Sequence, residues 1–598
     1  MSLYCFINTN EDWELVKKKY KNEKKIICST SPEILLNNSI KEKKVVLDAN
    51  NQRKQIKFIK NLSFFYSSLF NKIRRSNFSY NFAVYYISFI SRFSKLLNFA
   101  ICTEKDFKKK RIVVIKSITQ DSEIKNVINF PYEKVLEKNN NIKINNNKII
   151  RNKFNFFLKS PNLFTRTIYN GLHNFEFLIW RLIWKVWPNS LTKGLVLIAI
   201  DGPLLRETAV HLSRAGYKFI NIPRKIIIKK KKHILDNHKK TNKINKFFKD
   251  FLRKNFSKNL SNQLYDIFLK ESNEFIKRYN FSRLSWQNYF KENLQKANKV
   301  KCLLSTHLNR ESYAGLSDYL IKKKINIYNF QHGHSREIRA QNYQDKWFHI
   351  YEPLADTTFT YSKVSQKVSN KINKFKRGKY LSAGIPSNLK KKKIIFFNPK
   401  HEILYLSTTL CMGFNYELLS LKKISDKRKT EIELKIINNV LKKVPYKVLY
   451  KFYPIKGNLT ESLIKSSTER SKNISLVKKN FDSKYLFNTK RVIIVSNANS
   501  TFGGALLSNL PLIYIDTHQM KLKSNVLKLI KKSTFYFDFN DKDFFYDLKK
   551  FLSKPLDKIY KIYKKKEKIR ERLISEFFKD TLIENSGKFS AKQILNNF

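Results

Sequence analysis

The stretch that decides the fold is residues 491–516, RVIIVSNANSTFGGALLSNLPLIYID. Its opening run of β-branched residues, with almost no polar break, is typical of a parallel strand buried on both faces. The polar turn that follows supplies Asn499, Ser500 and Thr501 just where a helix begins, and a second apolar strand comes after that helix. Helix N-termini bind anions, and ligands of open α/β sheets bind beyond the carboxyl ends of the strands. The stretch therefore predicts half of a phosphate or nucleotide site, with an ordinary N-capped helix as the alternative.

The chain is long and strongly basic. Its 598 residues are more than a single hydrophobic core accommodates, so about two to four domains are expected. The 119 Lys and Arg against 47 Asp and Glu give a net charge of +72, which favours an anionic membrane surface or nucleic acid as a partner. Over-use of Lys, Asn, Ile and Phe together favours a third reading, in which an AT-rich genome fills permissive surface positions with Lys. No basic region, finger or RNP-like motif is recognised, so nucleic acid is not the expected partner.

The cysteines and the apolar runs indicate the cellular location of the protein. The five Cys are scattered without a close pair, which fits a reducing cytoplasm and argues against a zinc site or a disulfide framework. No uncharged apolar run reaches the roughly 18 residues that a spanning helix needs. The expected location is therefore the cytoplasm, with attachment at the inner membrane face as a further option.

Composition and periodicity divide the chain into four predicted parts. Residues 1–150 are an N-terminal α/β region with a long helical stretch at 53–100 and an Asn/Lys-rich linker at 116–150. Residues 151–192 are an aromatic helical segment, whose Trp, Arg and Lys mixture suits either a membrane interface or packing on the domain core. The remaining parts are a first Rossmann-like lobe at 193–390 and a second at 391–598, which ends in a long helix at about 556–578.

Three elements follow one another in the two lobes at spacings that resemble those of GT-B glycosyltransferases. They are Gln331-His332-Gly333 after a strand, Gly384-Ile-Pro386 at the close of the first lobe, and the Ser500-Thr501 helix start in the second. More narrowly, the order resembles bacterial surface-polysaccharide enzymes: capsule Kdo transferases, polysialyltransferases and teichoic-acid glycerophosphotransferases. The resemblance covers about residues 193–590. It implies an α/β fold of two Rossmann-like lobes of GT-B type, with the N-terminal α/β region as an addition.

The resemblance implies transfer of a sugar from a nucleotide-sugar donor to a polysaccharide or lipid-linked glycan, without a metal or other cofactor. Such a reaction needs groups that stabilise the leaving phosphate. The candidates are polar or cationic residues expected at second-lobe strand ends: Lys400, His401, Lys451, Asn499, Ser500 and Thr501. For Lys400 and His401 this placement assumes a first strand at Ile394–Asn398.

The reaction also needs a base that takes the proton of the acceptor hydroxyl. His332 follows a predicted buried strand and suits that role, although it could equally donate to phosphate or be structural. Glu207 and Glu311 are alternative bases. The acceptor side of the cleft is expected to include Arg206, Arg310, Gly333 and Arg336. His332 and His334 lack a nearby third ligand, so no metal site is expected.

One departure from the family pattern bears on the donor. Lys451-Phe452-Tyr453-Pro454 has Tyr where the family has the His of Lys-x-His-Pro, and Tyr cannot carry a positive charge. His401 could supply the missing imidazole. The departure keeps two alternatives open, which are transfer of glycerol phosphate or ribitol phosphate from a CDP donor and a non-catalytic relative that binds carbohydrate or nucleotide.

Overall fold

The computed structural model of the protein describes most of the chain. The described residues are 2–49, 52–75, 79–104, 110–118, 135–136, 142–148, 172–188, 191–223, 238–293, 300–308, 311–340, 351–373, 377–389, 401–408, 410, 424–453, 460–469, 471–477, 483–487 and 489–598. They form three sheets, and every strand pair within them is parallel.

The N-terminal sheet has the strand order β3-β2-β1-β4-β5. Its strands are β1 (Leu3–Phe6), β2 (Lys25–Ser29), β3 (Lys43–Val46), β4 (Arg111–Ile118) and β5 (Ile142–Lys148), and its helices are α1 (Asn10–Lys19), α2 (Pro32–Leu35), α3 (Gln52–Arg75) and α4 (Tyr80–Thr103). The stretch predicted as one helix is therefore two, and α4 restarts at the N-cap Ser79, whose hydroxyl accepts from the Phe82 N–H.

Part of the predicted Asn/Lys-rich linker is the edge strand β5, which corrects the prediction of a linker for residues 142–148. The polar sequence of this strand does not predict it, because its Asn side chains find their hydrogen-bond partners in other elements of the same region. Asn145 donates to the Tyr20 hydroxyl, and Asn147 donates to the Asp12 carboxylate. An edge strand is solvated on one side, so it does not need the apolar run of a central strand.

The first lobe is a six-stranded sheet of order β11-β10-β9-β8-β6-β7. Its strands are β6 (Gly194–Ile198), β7 (Tyr217–Asn221), β8 (Val300–Ser305), β9 (Asn326–Phe330), β10 (Thr357–Thr360) and β11 (Lys379–Ser382). Its helices are α5 (Leu172–Val186), α6 (Pro203–Arg214), α7 (His238–Asn255), α8 (Lys258–Asn293), α9 (Ala314–Lys322) and α10 (Lys363–Ile372).

One aromatic core joins the N-terminal region to this lobe. Helices α3 and α4 pack against α7, α8 and α9, and Phe rings such as Phe89 and Phe275 stack between them. Buried hydroxyls are satisfied across the same boundary, since Tyr86 donates to Asn245 and Tyr85 donates to the Leu308 carbonyl. The N-terminal sheet is therefore anchored on the first lobe through its two long helices.

The second lobe is a six-stranded sheet of order β14-β13-β12-β15-β16-β17. Its strands are β12 (Ile403–Leu406), β13 (Val448–Lys451), β14 (Ile474–Leu476), β15 (Val492–Val495), β16 (Leu512–Asp516) and β17 (Phe535–Asp538). Its helices are α11 (Asp426–Asn439), α12 (Glu461–Glu469), α13 (Lys484–Phe487), α14 (Ser500–Leu507), α15 (Ser524–Ser533), α16 (Phe544–Leu552), α17 (Leu556–Lys565) and α18 (Glu567–Leu573), and residues Ile574–Phe578 add a π-helical turn.

The last helix, α19 (Ser586–Leu595), returns to the first lobe and packs on α6. Its Ser586 hydroxyl donates to the Ile385 carbonyl, and the approach is so close that a Cβ on Gly587 would lie 2.6 Å from the Cβ of Glu207. The two lobes are also connected by an isolated antiparallel β-bridge between Arg339 and Leu522. The predicted fold class, two Rossmann-like lobes with an additional N-terminal α/β region, is confirmed. The predicted domain boundaries themselves stay predictions.

Candidate functional site

The strand orders locate one crevice in each lobe. In the second lobe the chain reverses its winding between β12 and β15, and in the first lobe it does so between β6 and β8. In open α/β sheets ligands bind at this switch point, outside the carboxyl ends of the strands. The residues just after these four strands therefore define the candidate site.

Polar groups cluster at the second-lobe switch point. Asn499 is the N-cap of α14, and its Oδ1 accepts from the Thr501 N–H at 2.9 Å. From the neighbouring strand end, Thr408 accepts a hydrogen bond from Asn497 Nδ2 at 3.1 Å. The buried Oδ1 of Asn497 has no hydrogen-bond partner in the part of the chain that the structure describes. Ser500 begins α14 with its side chain exposed.

The start of α14 lies directly against the first lobe. A Cβ on Gly333 would stand 2.8 Å from the Cβ of Ser500, and a Cβ on Gly503 would stand 2.6 Å from that of His334. Both distances are shorter than real Cβ contacts allow, so each position needs glycine for this close approach. The N-terminal end of α14 and the loop 331–334 therefore share one edge of the interlobe cleft.

Two histidines meet at the first-lobe crevice. His307 follows β8 and His332 follows β9, and their ring centroids are 4.7 Å apart at an angle of 72°. His307 Nδ1 lies 3.1 Å from the hydroxyl of Thr306, and that hydroxyl donates to the Ile200 carbonyl at the end of β6. The His332 side chain is exposed and the His307 side chain is half-buried. Two imidazoles at one strand-end crevice can exchange protons with a bound hydroxyl near neutral pH.

The neighbouring His334 points the other way. Its ring is buried between Tyr361 and Phe578, and neither ring nitrogen has a hydrogen-bond partner among the described residues. Burial lowers the pKa of His334 below its usual value, although the nearby Glu337 carboxylate opposes this shift. The ring is therefore neutral at pH 7 and serves the interlobe packing, not the crevice.

Gln331 fixes the loop that carries these histidines. It directly follows the buried end of β9, and its Oε1 accepts from the Tyr361 N–H at 2.9 Å. Its Nε2 donates to Glu337 Oε1 at 2.5 Å and to the Gly333 carbonyl at 2.9 Å. Ser365 donates to both Gln331 and Glu337. This closed network holds residues 331–337 in one conformation, and so it orients His332.

The predicted donor residues fall into three groups. Asn499, Ser500 and Thr501 lie at the carboxyl edge of the second-lobe sheet, as does Lys451, the buried last residue of β13. His401 precedes β12, so it lies at the amino edge of the sheet, which corrects its expected position at a strand's carboxyl end. Lys400 lies outside the described residues.

The predicted acceptor residues are also divided. Gly333 is at the cleft, and Arg206 lies beside it on α6, where its guanidinium donates to Asp201 Oδ2 at 2.8 and 3.0 Å. Glu311 begins a short 3-10 turn, Glu311–Tyr313, after the first-lobe crevice. Arg310 lies outside the described part of the chain.

Two of the predicted cleft residues are buried in structural contacts. The Glu207 carboxylate accepts from the backbone N–H and the hydroxyl of Ser387, beneath the C-terminal helix. The Arg336 guanidinium is buried against Glu352 and the Ser369 hydroxyl. Neither side chain faces the cleft as expected, because each is needed to satisfy buried polar groups at the junction of first-lobe elements.

Sequence reasoning did not include His307, Thr408 or Asn497 among the site residues. Each stands beside the switch point of its sheet, and only the strand order reveals which strand ends are neighbours.

A further polar cluster lies at the ends of β16 and β17, the strands that follow β15 in the second-lobe sheet. There His518 Nε2 is 2.7 Å from Asp538 Oδ1. Partial burial raises the pKa of Asp538, but the hydrogen bonds from the Asn540 N–H and His518 outweigh it and lower the pKa.

The solved structures that resemble the chain are all distant from it. No protein-family model and no curated protein matches the chain. Among solved structures, a UDP-glucosyltransferase from Polygonum tinctorium is 10% identical with a TM-score of 0.37, covering 68% of this chain and 99% of its own. Acinetobacter baumannii MurG is 9% identical with a TM-score of 0.31, covering 67% and 99%. The wall teichoic acid polymerase TagF is 13% identical with a TM-score of 0.37, covering 71% and 93%. With scores this low, the likeness carries no inference about the reaction.

Proposed function

We propose that the protein is a metal-independent glycosyltransferase of GT-B type. It moves a sugar from a nucleotide-sugar donor to a surface polysaccharide or lipid-linked glycan, at the cytoplasmic face of the membrane. The observation that carries the proposal is that the N-terminus of α14, at the second-lobe switch point, lies against the loop after β9 that bears His332. Such a cleft brings an anion-binding helix end and an imidazole to one substrate.

The donor diphosphate binds at the second-lobe crevice in this proposal. The N-terminal end of α14 carries partial positive charge from the helix dipole, which favours a phosphate there. The Ser500 and Thr501 hydroxyls add hydrogen-bond donors. Lys451 supplies a positive charge at the end of β13, on the same edge of the sheet, which supports a donor site despite Tyr453 in place of His.

The acceptor hydroxyl lies at the first-lobe crevice beside His332 and His307. His332 takes the proton while the acceptor oxygen bonds to the anomeric carbon of the sugar. The bond from that carbon to the donor phosphate breaks, and the nucleoside diphosphate leaves with its negative charge held at α14. His307, in ring contact with His332, orients the imidazole for this transfer.

Calorimetric titration with CMP, CDP, UDP and GDP tests the donor site and names the donor class. Ser500→Asp is the decisive variant, because an acidic residue in the first helical turn favours the helix but repels phosphate. We expect one nucleotide to bind the wild type, and Ser500→Asp to weaken it by about tenfold or more. Ser524→Asp is the matched control, since Ser524 is likewise the exposed first residue of a helix in the same lobe.

The outcomes separate the alternatives. Binding of UDP or GDP, followed by donor-dependent sugar incorporation into glycan, supports the proposal. Binding of CDP, with transfer of a polyol phosphate in place of a sugar, would replace the glycosyl reaction with phosphotransfer in the same cleft. A folded protein that binds none of the four nucleotides would overturn it.

A further inference from the structure

Helix α5 presents an apolar stripe to solvent. Phe175, Ile179, Leu182 and Val186 follow one another at intervals of four, three and four residues, which places them on one face of a helix. Their side chains are between 39% and 84% exposed. The chain just beyond the helix continues the surface with Trp187 and Leu191, which are 45% and 69% exposed.

The opposite face of α5 is firmly held by the first lobe. Phe177 and Trp184 are buried against α6 and β7, and the Phe177 ring stacks on Phe219 with a centroid distance of 4.7 Å. The Trp184 indole N–H donates to the Ser213 hydroxyl. The helix therefore belongs to the folded lobe, and its exposed stripe is a fixed part of the protein surface.

The charges beside the stripe are cationic. Arg181 and Lys185 are exposed on α5, and neither forms an ion pair with any residue that the structure describes. The acidic residue of the helix, Glu176, is neutralised by a two-point contact with Arg214. An apolar face bordered by Trp, Arg and Lys is the composition of a helix that lies in a membrane interface.

We propose that α5, continued by Trp187 and Leu191, is the surface by which the protein docks on a bilayer that contains anionic lipid. Charge decides between this occupant and a second copy of the chain. A dimer through α5 would bring together the cations of two chains that each carry a net charge of +72, whereas an anionic bilayer neutralises them. This inference rests on the membrane location in the proposed function, and it assigns that location to one helix.

Docking on α5 would bring the cleft close to the bilayer. The Arg206 guanidinium carbon lies 5.9 Å from the centre of the Phe177 ring, so α5 adjoins the α6 residue that borders the first-lobe crevice. An acceptor anchored in the bilayer would then reach that crevice from the docked side.

Flotation of the full-length protein with vesicles tests the surface without any donor, so its result is independent of the transfer reaction. The vesicles are pure phosphatidylcholine or a mixture of it with phosphatidylglycerol. We expect the wild type to bind the mixed vesicles and to detach at high salt. The double variant Leu182→Glu with Val186→Glu should weaken that binding by about tenfold or more, since it places two acids in the docked face.

Leu582→Glu is the matched control, because Leu582 is 76% exposed on the C-terminal segment and lies outside α5. It should bind like the wild type. Equal binding by the double variant and the wild type would overturn the proposal, as would a wild type that binds neither vesicle. A wild-type dimer that the double variant converts to a monomer, in sedimentation velocity, would assign the face to a second copy instead. Circular dichroism of each variant verifies that it is folded.

Discussion

The N-terminal sheet and the second-lobe sheet share the same order of their first five strands but differ at the switch point. Between β1 and β4 the crevice is filled by Asp12, whose carboxylate is fully buried. It accepts hydrogen bonds from Ser117, from Asn147 and from the backbone N–H groups of Asn8 and Thr9. Between β12 and β15 the polar groups are only partly satisfied, and Ser500 is exposed.

The difference teaches that strand order alone does not make a binding site. The N-terminal crevice is closed by a side chain of its own, so a ligand would have to displace four hydrogen bonds. The second-lobe crevice leaves the Ser500 hydroxyl exposed at the start of a helix, and the first lobe brings His332 to the same cleft. Function depends on which polar groups remain unsatisfied at an edge that the topology provides.

The largest expected effect is on transfer. His332→Gln keeps a polar side chain but removes the base, so the rate of sugar transfer should fall by about 10²- to 10⁴-fold, with nucleotide affinity and melting temperature unchanged. A steady-state assay with the donor found by calorimetry measures the rate. His307→Gln should cause a smaller loss and shift the pH profile. A full rate of transfer in His332→Gln would show that His332 is not the base.

The next largest effect is expected on the stability of the protein, from a change in the N-terminal crevice that Asp12 fills. Asp12→Ala leaves four donors without their acceptor, three of them buried, so the free energy of unfolding should fall by about 3 kcal/mol, as measured by urea denaturation. Nucleotide affinity should not change. Asp12→Asn, which retains one acceptor oxygen, should lose less. Weaker nucleotide binding without a loss of stability would show that the N-terminal crevice is a ligand site after all.

The second-lobe motif could be predicted from sequence because several signals agree in one short stretch. The strand, helix and strand expected in 491–516 are β15, α14 and β16, and the N-cap is Asn499. Apolar runs, a capping residue and a strand-terminal turn are all local, so no tertiary information is needed to find them.

Other features depend on tertiary structure and could not be read locally. Two apolar runs, 394–398 and 403–406, lie close together, and the choice of strand decides at which edge of the sheet His401 falls. The pairing of His307 with His332 requires β8 and β9 to be neighbours, which only the sheet order establishes. Likewise, burial of Arg336 follows from Glu352, sixteen residues further along the chain.

A third prediction concerns the close contact between α14 of the second lobe and His334 of the first lobe. Gly503→Ala would place a methyl group 2.6 Å from the His334 Cβ, so the lobes must shift, at a cost of about 1–3 kcal/mol in unfolding free energy. Gly504→Ala in the same helix is the control, because its methyl group would be 3.3 Å from a Phe487 ring carbon and alanine favours a helix. Equal stability of the two variants would contradict the close interlobe contact.

The smallest effect is a pH dependence that distinguishes the interlobe histidine from its exposed neighbour. The pKa of His334 is lowered in the folded state, so its contribution to stability is present above the unfolded value of 6.5 and is lost as the pH falls below it, by at most about 1.4 kcal/mol per pH unit. His334→Phe keeps a planar ring between Tyr361 and Phe578 but cannot titrate. The free energy of unfolding of the wild type should therefore fall relative to that of the variant as the pH falls below 6.5. Parallel curves over that range would mean that the imidazole is already solvated when the lobes are packed.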